Sequence, residues 1–162
     1  MDSPKQRVIE DASPIVSARL RSLFDYWLDV KGKRLAPTRK DINPVKMRDH
    51  LGWIWLMDVI DGGADFRFRL GGDRIVQFLG ERLAGLSLKE VQPKSPVFFG
   101  RFFDLAALAT KNKKPVLGGP TQTAYEPKAY LEVEAVLLPL SDDGVTVTGL
   151  LGSIEIKPLQ KS

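Results

Sequence analysis

Apolar residues fall at Val16, Leu20, Leu23, Phe24, Trp27 and Leu28, with Arg19, Arg21 and Asp25 between them. This three-to-four spacing predicts a helix over 14–31, opened by Ser13-Pro14 and stopped at Gly32. Asn43-Pro44 repeats the opening signal and predicts a short helix ending near Gly52. The period then changes. Residues 53–60 form a continuous apolar run, too short for a buried helix, and read as a strand covered on both faces. Asp61-Gly62-Gly63 is a turn. In 64–70, Phe66, Phe68 and Leu70 alternate with Asp65, Arg67 and Arg69, which predicts a half-exposed second strand.

Short helical pieces follow, one from Asp73 to Leu79 closed by Gly80. Ser95-Pro96 opens a third strong helix, to about Asn112, carrying Phe98, Phe99, Phe102, Phe103, Leu105, Ala106 and Ala109. Three strands are expected over about 115–124, 129–139 and 145–157, the last two joined at Asp142-Asp143-Gly144. The predicted architecture is α+β: a five-stranded antiparallel sheet, helices inserted between strands two and three, and an N-terminal helix. The 162 residues suit one domain over 13–158, with a flexible polar leader at 1–12 and a tail at 159–162.

Hydrophobic residues make up 43% and charged residues 27%, which excludes disorder, collagen and coiled coil as the main description. No run of about 18 apolar residues occurs, and the first ten residues lack an apolar core of the signal-peptide kind. The expected location is the cytoplasm. With no cysteine, disulfides, zinc–thiolate sites, iron–sulfur clusters and thiol nucleophiles are excluded. The net charge is only +4. Its one local excess is Lys31, Lys33, Arg34, Arg39 and Lys40, with a smaller run at Lys111, Lys113 and Lys114. Both read as solvated loops rather than phosphate sites, and nucleic acid is not an expected partner.

No catalytic or metal-binding residue is predicted. His50, the only histidine, reads as a surface or helix-end residue, and no Gly-x-Ser-x-Gly turn accompanies it. Gly71-Gly72-Asp73 reads as a strand exit with Asp73 as helix cap. Gly118-Gly119-Pro120-Thr121 lacks a P-loop ending and reads as a strand bulge or bend. Gly149 and Gly152 in the last strand mark a close approach or a bend. Glu132 and Glu134 share a strand face and read as solvated, although that face turns apolar at Val136 and Leu138, which suits docking of the N-terminal helix or a partner. Arg67 and Arg69 are expected to pair with these glutamates across the sheet. Trp53 and Trp55, sharing a face with Met57 and Val59, read as core or interface.

Several segments together resemble a known family. They are Tyr26-Trp27, the stretch Gly32 to Pro44 (Gly-Lys-Arg-Leu-Ala-Pro-Thr-Arg-Lys-Asp-Ile-Asn-Pro), Asp58, Phe68-Arg69-Leu70-Gly71-Gly72 and Gly80-Glu81-Arg82-Leu83-Ala84-Gly85. In order and spacing, over roughly residues 20–155, they are similar to a bacterial group of mostly stand-alone PAS proteins, common in alphaproteobacteria. The resemblance implies a cytosolic, non-catalytic sensory or protein-interaction module in bacterial signal transduction. It implies a ligand cavity between sheet and helices, for which Phe66, Phe68, Phe78, Phe99, Phe102 and Phe103 are the candidate lining. It also implies a homodimer formed through the N-terminal helix, with Val16, Leu20, Leu23, Phe24 and Trp27 as interface candidates. No cofactor is predicted. A small-molecule ligand fits the resemblance; flavin is disfavoured, and so is haem, because no histidine lies on the helix 96–112. The signalling partner is not identified by the sequence. The alternatives are a small α+β cavity enzyme, or a weak nucleic-acid or anion binder acting through the basic loop 31–40.

Overall fold

The structure, a computed structural model, describes residues 6–159. Six antiparallel strands form one sheet: β1 (Gln6–Val8), β2 (Ile54–Ile60), β3 (Asp65–Gly71), β4 (Val116–Gln122), β5 (Leu131–Leu140) and β6 (Gly149–Pro158), in the order β1-β4-β5-β6-β2-β3. The helices are α1 (Ala18–Lys31), α2 (Asp73–Leu79), α3 (Leu88–Val91) and α4 (Pro96–Asn112). The five expected strands are present. The sixth, β1, falls within residues 1–12, which the sequence reading treats as a loose leader. Val8 pairs with Val116 and Gln6 with Gly118, so 6–8 are ordered on the edge of β4. Residues 1–5 and 160–162, the ends of the expected leader and tail, lie outside the described residues.

Two separate cores sit on the two faces of the sheet, because alternate residues of each strand point opposite ways. On β5, Val133, Ala135 and Leu137 face α2–α4, whereas Val136, Leu138 and Leu140 face α1. On β2, Trp55 and Met57 take the first side and Ile54 and Leu56 the second. The continuous apolar run of β2 is thereby explained.

α1 packs on its own sheet, which places four of the five interface candidates in the interior. Leu20, Leu23, Phe24 and Trp27 are buried against their own sheet, with Met47, Leu117, Val136 and Leu138 around them. The Trp27 indole N–H donates to Pro139 O at 2.8 Å. Of the five proposed interface residues only Val16 is exposed, at 57%. The helix also begins later than expected. Its cap is Ser17, whose hydroxyl accepts from Leu20 N, whereas Ser13 bonds Asp11. Helix formation at 43–52 is reduced to turns and one 3-10 turn at Leu51–Trp53. The last strand starts at 149 rather than 145, because the Asp143 carboxylate gathers Val145 N, Thr146 N and the Thr146 hydroxyl into a loop. Those hydrogen bonds hold the Asp143 carboxyl well below the usual carboxylate range. Leu70 is exposed, not core, because the β2–β3 register shifts between Leu56 and Met57.

Candidate functional site: an aromatic cavity under the long helix

Between α4 and the inner face of the sheet lies a cavity of about 100 Å³. Ser95-Pro96 starts α4 as the sequence predicts, and its helical spacing brings Phe98, Phe99, Phe102 and Leu105 to the cavity wall. The sheet supplies Trp55, Phe68, Val133, Ala135 and Ile154, and α2 supplies Ile75, Phe78 and Leu79. Space remains because the facing strand positions are small. Gly118 lies opposite Leu105, where a Cβ would sit 3.4 Å from Leu105 Cδ2. The β4–β5 register shifts between Gly118 and Thr121, so the predicted bulge is real. At Gly119, φ is +83° and a Cβ would stand 2.5 Å from Val133 O, so only glycine fits there.

Of the six predicted lining residues, Phe68, Phe78, Phe99 and Phe102 border the cavity. Phe66 and Phe103 do not. Their rings meet edge-on at 5.2 Å, filling the core toward the β2–β3 turn. Both phenylalanines have the correct period, but periodicity does not show where free volume remains. Phe98 and Trp55 are lining residues missing from that prediction.

Trp55 is a buried part of the cavity wall. Its indole lies across Gly152 of β6, packs on Phe102 at 5.2 Å and is 3% exposed. Its N–H is buried and has no hydrogen-bond partner among the described residues. An unpaired buried donor of this kind costs about 1–3 kcal/mol. At one end the rings of Phe78, Phe98 and Tyr125 close on one another at 5.1–6.1 Å, and the Tyr125 hydroxyl donates to Leu79 O at 2.8 Å. Burial, and the Glu81 carboxylate second, push the Tyr125 phenol above its ordinary value, with Lys94 opposing. Beside the cavity, the Gln6 side-chain amide donates to Arg101 O at 2.7 Å and straps β1 to α4.

Several other expectations are corrected away from the cavity. His50 is 7% exposed, not a surface residue, and its Nε2 lies 3.4 Å from the Ser22 hydroxyl. Desolvation, then the Arg19 charge, lowers its pKa against a smaller pull from Asp49. Glu134 is 4% exposed rather than solvated, and its carboxylate accepts from Val16 N at 2.7 Å and Ser17 N at 2.8 Å, ahead of α1. Glu132 pairs with Lys157 at 3.5 Å. Arg67 and Arg69 do not reach these glutamates: Arg67 meets Glu90 at 3.6 Å and Gly85 O, and Arg69 meets Asp58 at 3.4 Å. Gly72, not Asp73, is the cap of α2. Trp53 precedes β2 and lies under the guanidiniums of Arg19 and Arg74.

The quoted motif residues also converge. Arg39 and Arg69 flank Asp58, which ties the loop after α1 to β2 and β3. Thr38 and Asp41 form a capping box, and Arg34 pairs with Asp41 at 2.6 Å. These contacts hold the loop against the sheet.

Among the described residues no group of histidine and acidic side chains is arranged to hold a metal ion, and no helix is long and apolar enough to cross a membrane. A family model described as PAS domain matches residues 15–155. Comparison with curated proteins and with solved structures gives no match.

Proposed function

Because this chain belongs to the PAS domain family, whose members are generally sensory or signalling modules, we propose that it is a cytosolic, non-catalytic sensor in bacterial signal transduction that holds a small, mostly apolar ligand in the α4 cavity. The observation that carries this reading is free volume under α4 behind a mainly aromatic and aliphatic wall, to which Trp55, Phe68, Phe99 and Phe102 contribute. A compact ligand whose carbon skeleton fills the apolar space would lie beside the Trp55 ring and change the surroundings of its indole. The free volume of about 100 Å³ suits a compact molecule of a few heavy atoms. It falls well short of the roughly 300–1,000 Å³ of pockets that take drug-sized ligands, so a flavin or a haem does not suit it.

Output follows from strand geometry. Val133 and Ala135 border the cavity, and Glu134 between them reaches through to Val16 N and Ser17 N on the other face. A ligand with different affinities for two positions of β5 therefore shifts the hold on α1, and a partner protein reads the change.

The test is a titration of the purified protein with cyclopentanone, followed by the tryptophan indole resonances in NMR, beside native mass spectra of the protein as isolated. The reading expects the Trp55 indole N–H to shift on saturation, and the response to disappear in Trp55→Phe. If no indole resonance moves up to the solubility limit and no small molecule is retained, the cavity reading fails.

A further inference from the structure

The two basic runs of the sequence, some eighty residues apart, meet in one groove. One wall is the end of α1 and the loop after it, and the other is the α4–β4 connection. The groove has a volume of about 490 Å³ and lies outside the cavity. Five cationic side chains line it. Arg34 is taken by Asp41 and Lys114 by Glu10, each at 2.6 Å. Lys31, Lys33 and Lys113 have no carboxylate within 4 Å among the described residues. Between them Leu28 is 38% exposed and Leu35 is half-buried.

Lysines gather at helix C-termini for electrostatic reasons, and Lys31 and Lys113 stand at such ends. That accounts for neither Lys33 nor the open leucines. The two aromatic rings at the groove, Phe24 and Trp27, are 0% and 1% exposed, so no ring face is open for a nucleobase to stack on. Lys33 and Lys113 are exposed, and no hydrogen bond among the described residues fixes them around a single small anion, while Lys31 is half-buried with its Nζ donating to Gly32 O at 3.3 Å. Positive charge around an apolar floor complements a chain with the reverse arrangement.

We infer that this groove is a docking site for an acidic, amphipathic segment of a partner protein, its leucine-like side chains on Leu28 and Leu35 and its carboxylates against Lys31, Lys33 and Lys113. The site adjoins α1, so it offers the module a route to a partner whether or not the cavity is filled.

The test is fluorescence anisotropy with a fluorescein-labelled synthetic peptide that carries leucines at helical spacing flanked by glutamates. Its comparators are the same peptide with serine for leucine, and a labelled oligothymidylate. The leucine peptide should bind more tightly than both. Its affinity should fall at least about tenfold in Lys33→Glu/Lys113→Glu and also in Leu28→Ser. It should weaken as salt rises from about 0.01 to about 0.15 M, which shortens the Debye length from about 30 to about 8 Å. All three positions are at the surface, and thermal melts of the variants that match the parent establish that they fold. Absence of binding, unchanged affinity in the charge-reversed variant, or equal or tighter binding of the serine peptide or the oligonucleotide would each overturn the inference.

Discussion

Trp55 occupies the space that a side chain at Gly152 would need. A Cβ built on Gly152 would lie 2.2 Å from Trp55 Cε2 and 2.5 Å from its Nε1, on a strand pair in which the two residues are direct partners. The glycine on β6 thus sets the pose of the largest ring on the cavity wall. Gly152→Ala should cost about 1–3 kcal/mol in denaturant unfolding. The cost should shrink in a Trp55→Ala background, with a coupling of about 0.5–3 kcal/mol. Equal costs in both backgrounds would show that the ring does not rest on the glycine.

Glu134 is an internal clamp. Its two oxygens serve two successive backbone N–H groups ahead of α1, and charged hydrogen bonds of this kind are worth about 1.5–3 kcal/mol. Glu134→Gln keeps one acceptor and turns a donor toward the other N–H. Its expected loss is about 1–3 kcal/mol, with faster amide exchange at Val16 and Ser17 than elsewhere in the chain. Uniform acceleration across the whole chain would mean that the clamp is not local.

Leu23 separates the two accounts of α1. Buried in its own chain, it should cost about 2–5 kcal/mol when changed to alanine. The mass seen by light scattering should stay that of the parent protein. A changed mass with stability intact would return the helix to an intermolecular role.

His50 carries a pH dependence. Its pKa is lowered in the fold, so the unfolded chain takes up a proton from about 6.5 downward before the folded one does. Stability should therefore decline as pH falls from about 7 to about 5, a window above the ordinary carboxylate values. His50→Gln should flatten that decline. A slope unchanged by the substitution would assign it to other groups.

The legible parts of the chain are those in which one local signal suffices. Ser95-Pro96 with four phenylalanines at helical spacing placed α4 to the residue, and Gly118 to Thr121 marked a bulge that exists. Alternation in β5 separated Glu134 and Val136 from Val133 and Ala135, but it does not say which face is covered. The charge of Glu134 therefore predicts a solvated position, whereas the apolar half of that face receives α1 and Glu134 is buried beside it. The stripe from Leu20 to Trp27 announces burial without naming what buries it. β1 carries Gln6 and Arg7, and three residues are too few for a pattern; its order comes from pairing with β4. The cavity was half legible, since Phe66 and Phe103 share the signal of Phe68 and Phe102 and differ only in what stands opposite.

The sheet with a core on each side has a consequence for how solvent reaches the backbone. The middle of β5 and β6 is hydrogen-bonded along both edges and covered on both faces by α1 and α4. Its amides can trade protons with water only when the whole molecule opens. The α2 and α3 turns cover one face only and carry several exposed residues, so they can open alone. Deuterium uptake should therefore divide the chain into a fast cover over the cavity and a slow central sheet, and the cavity wall contributed by α2 belongs to the fast part.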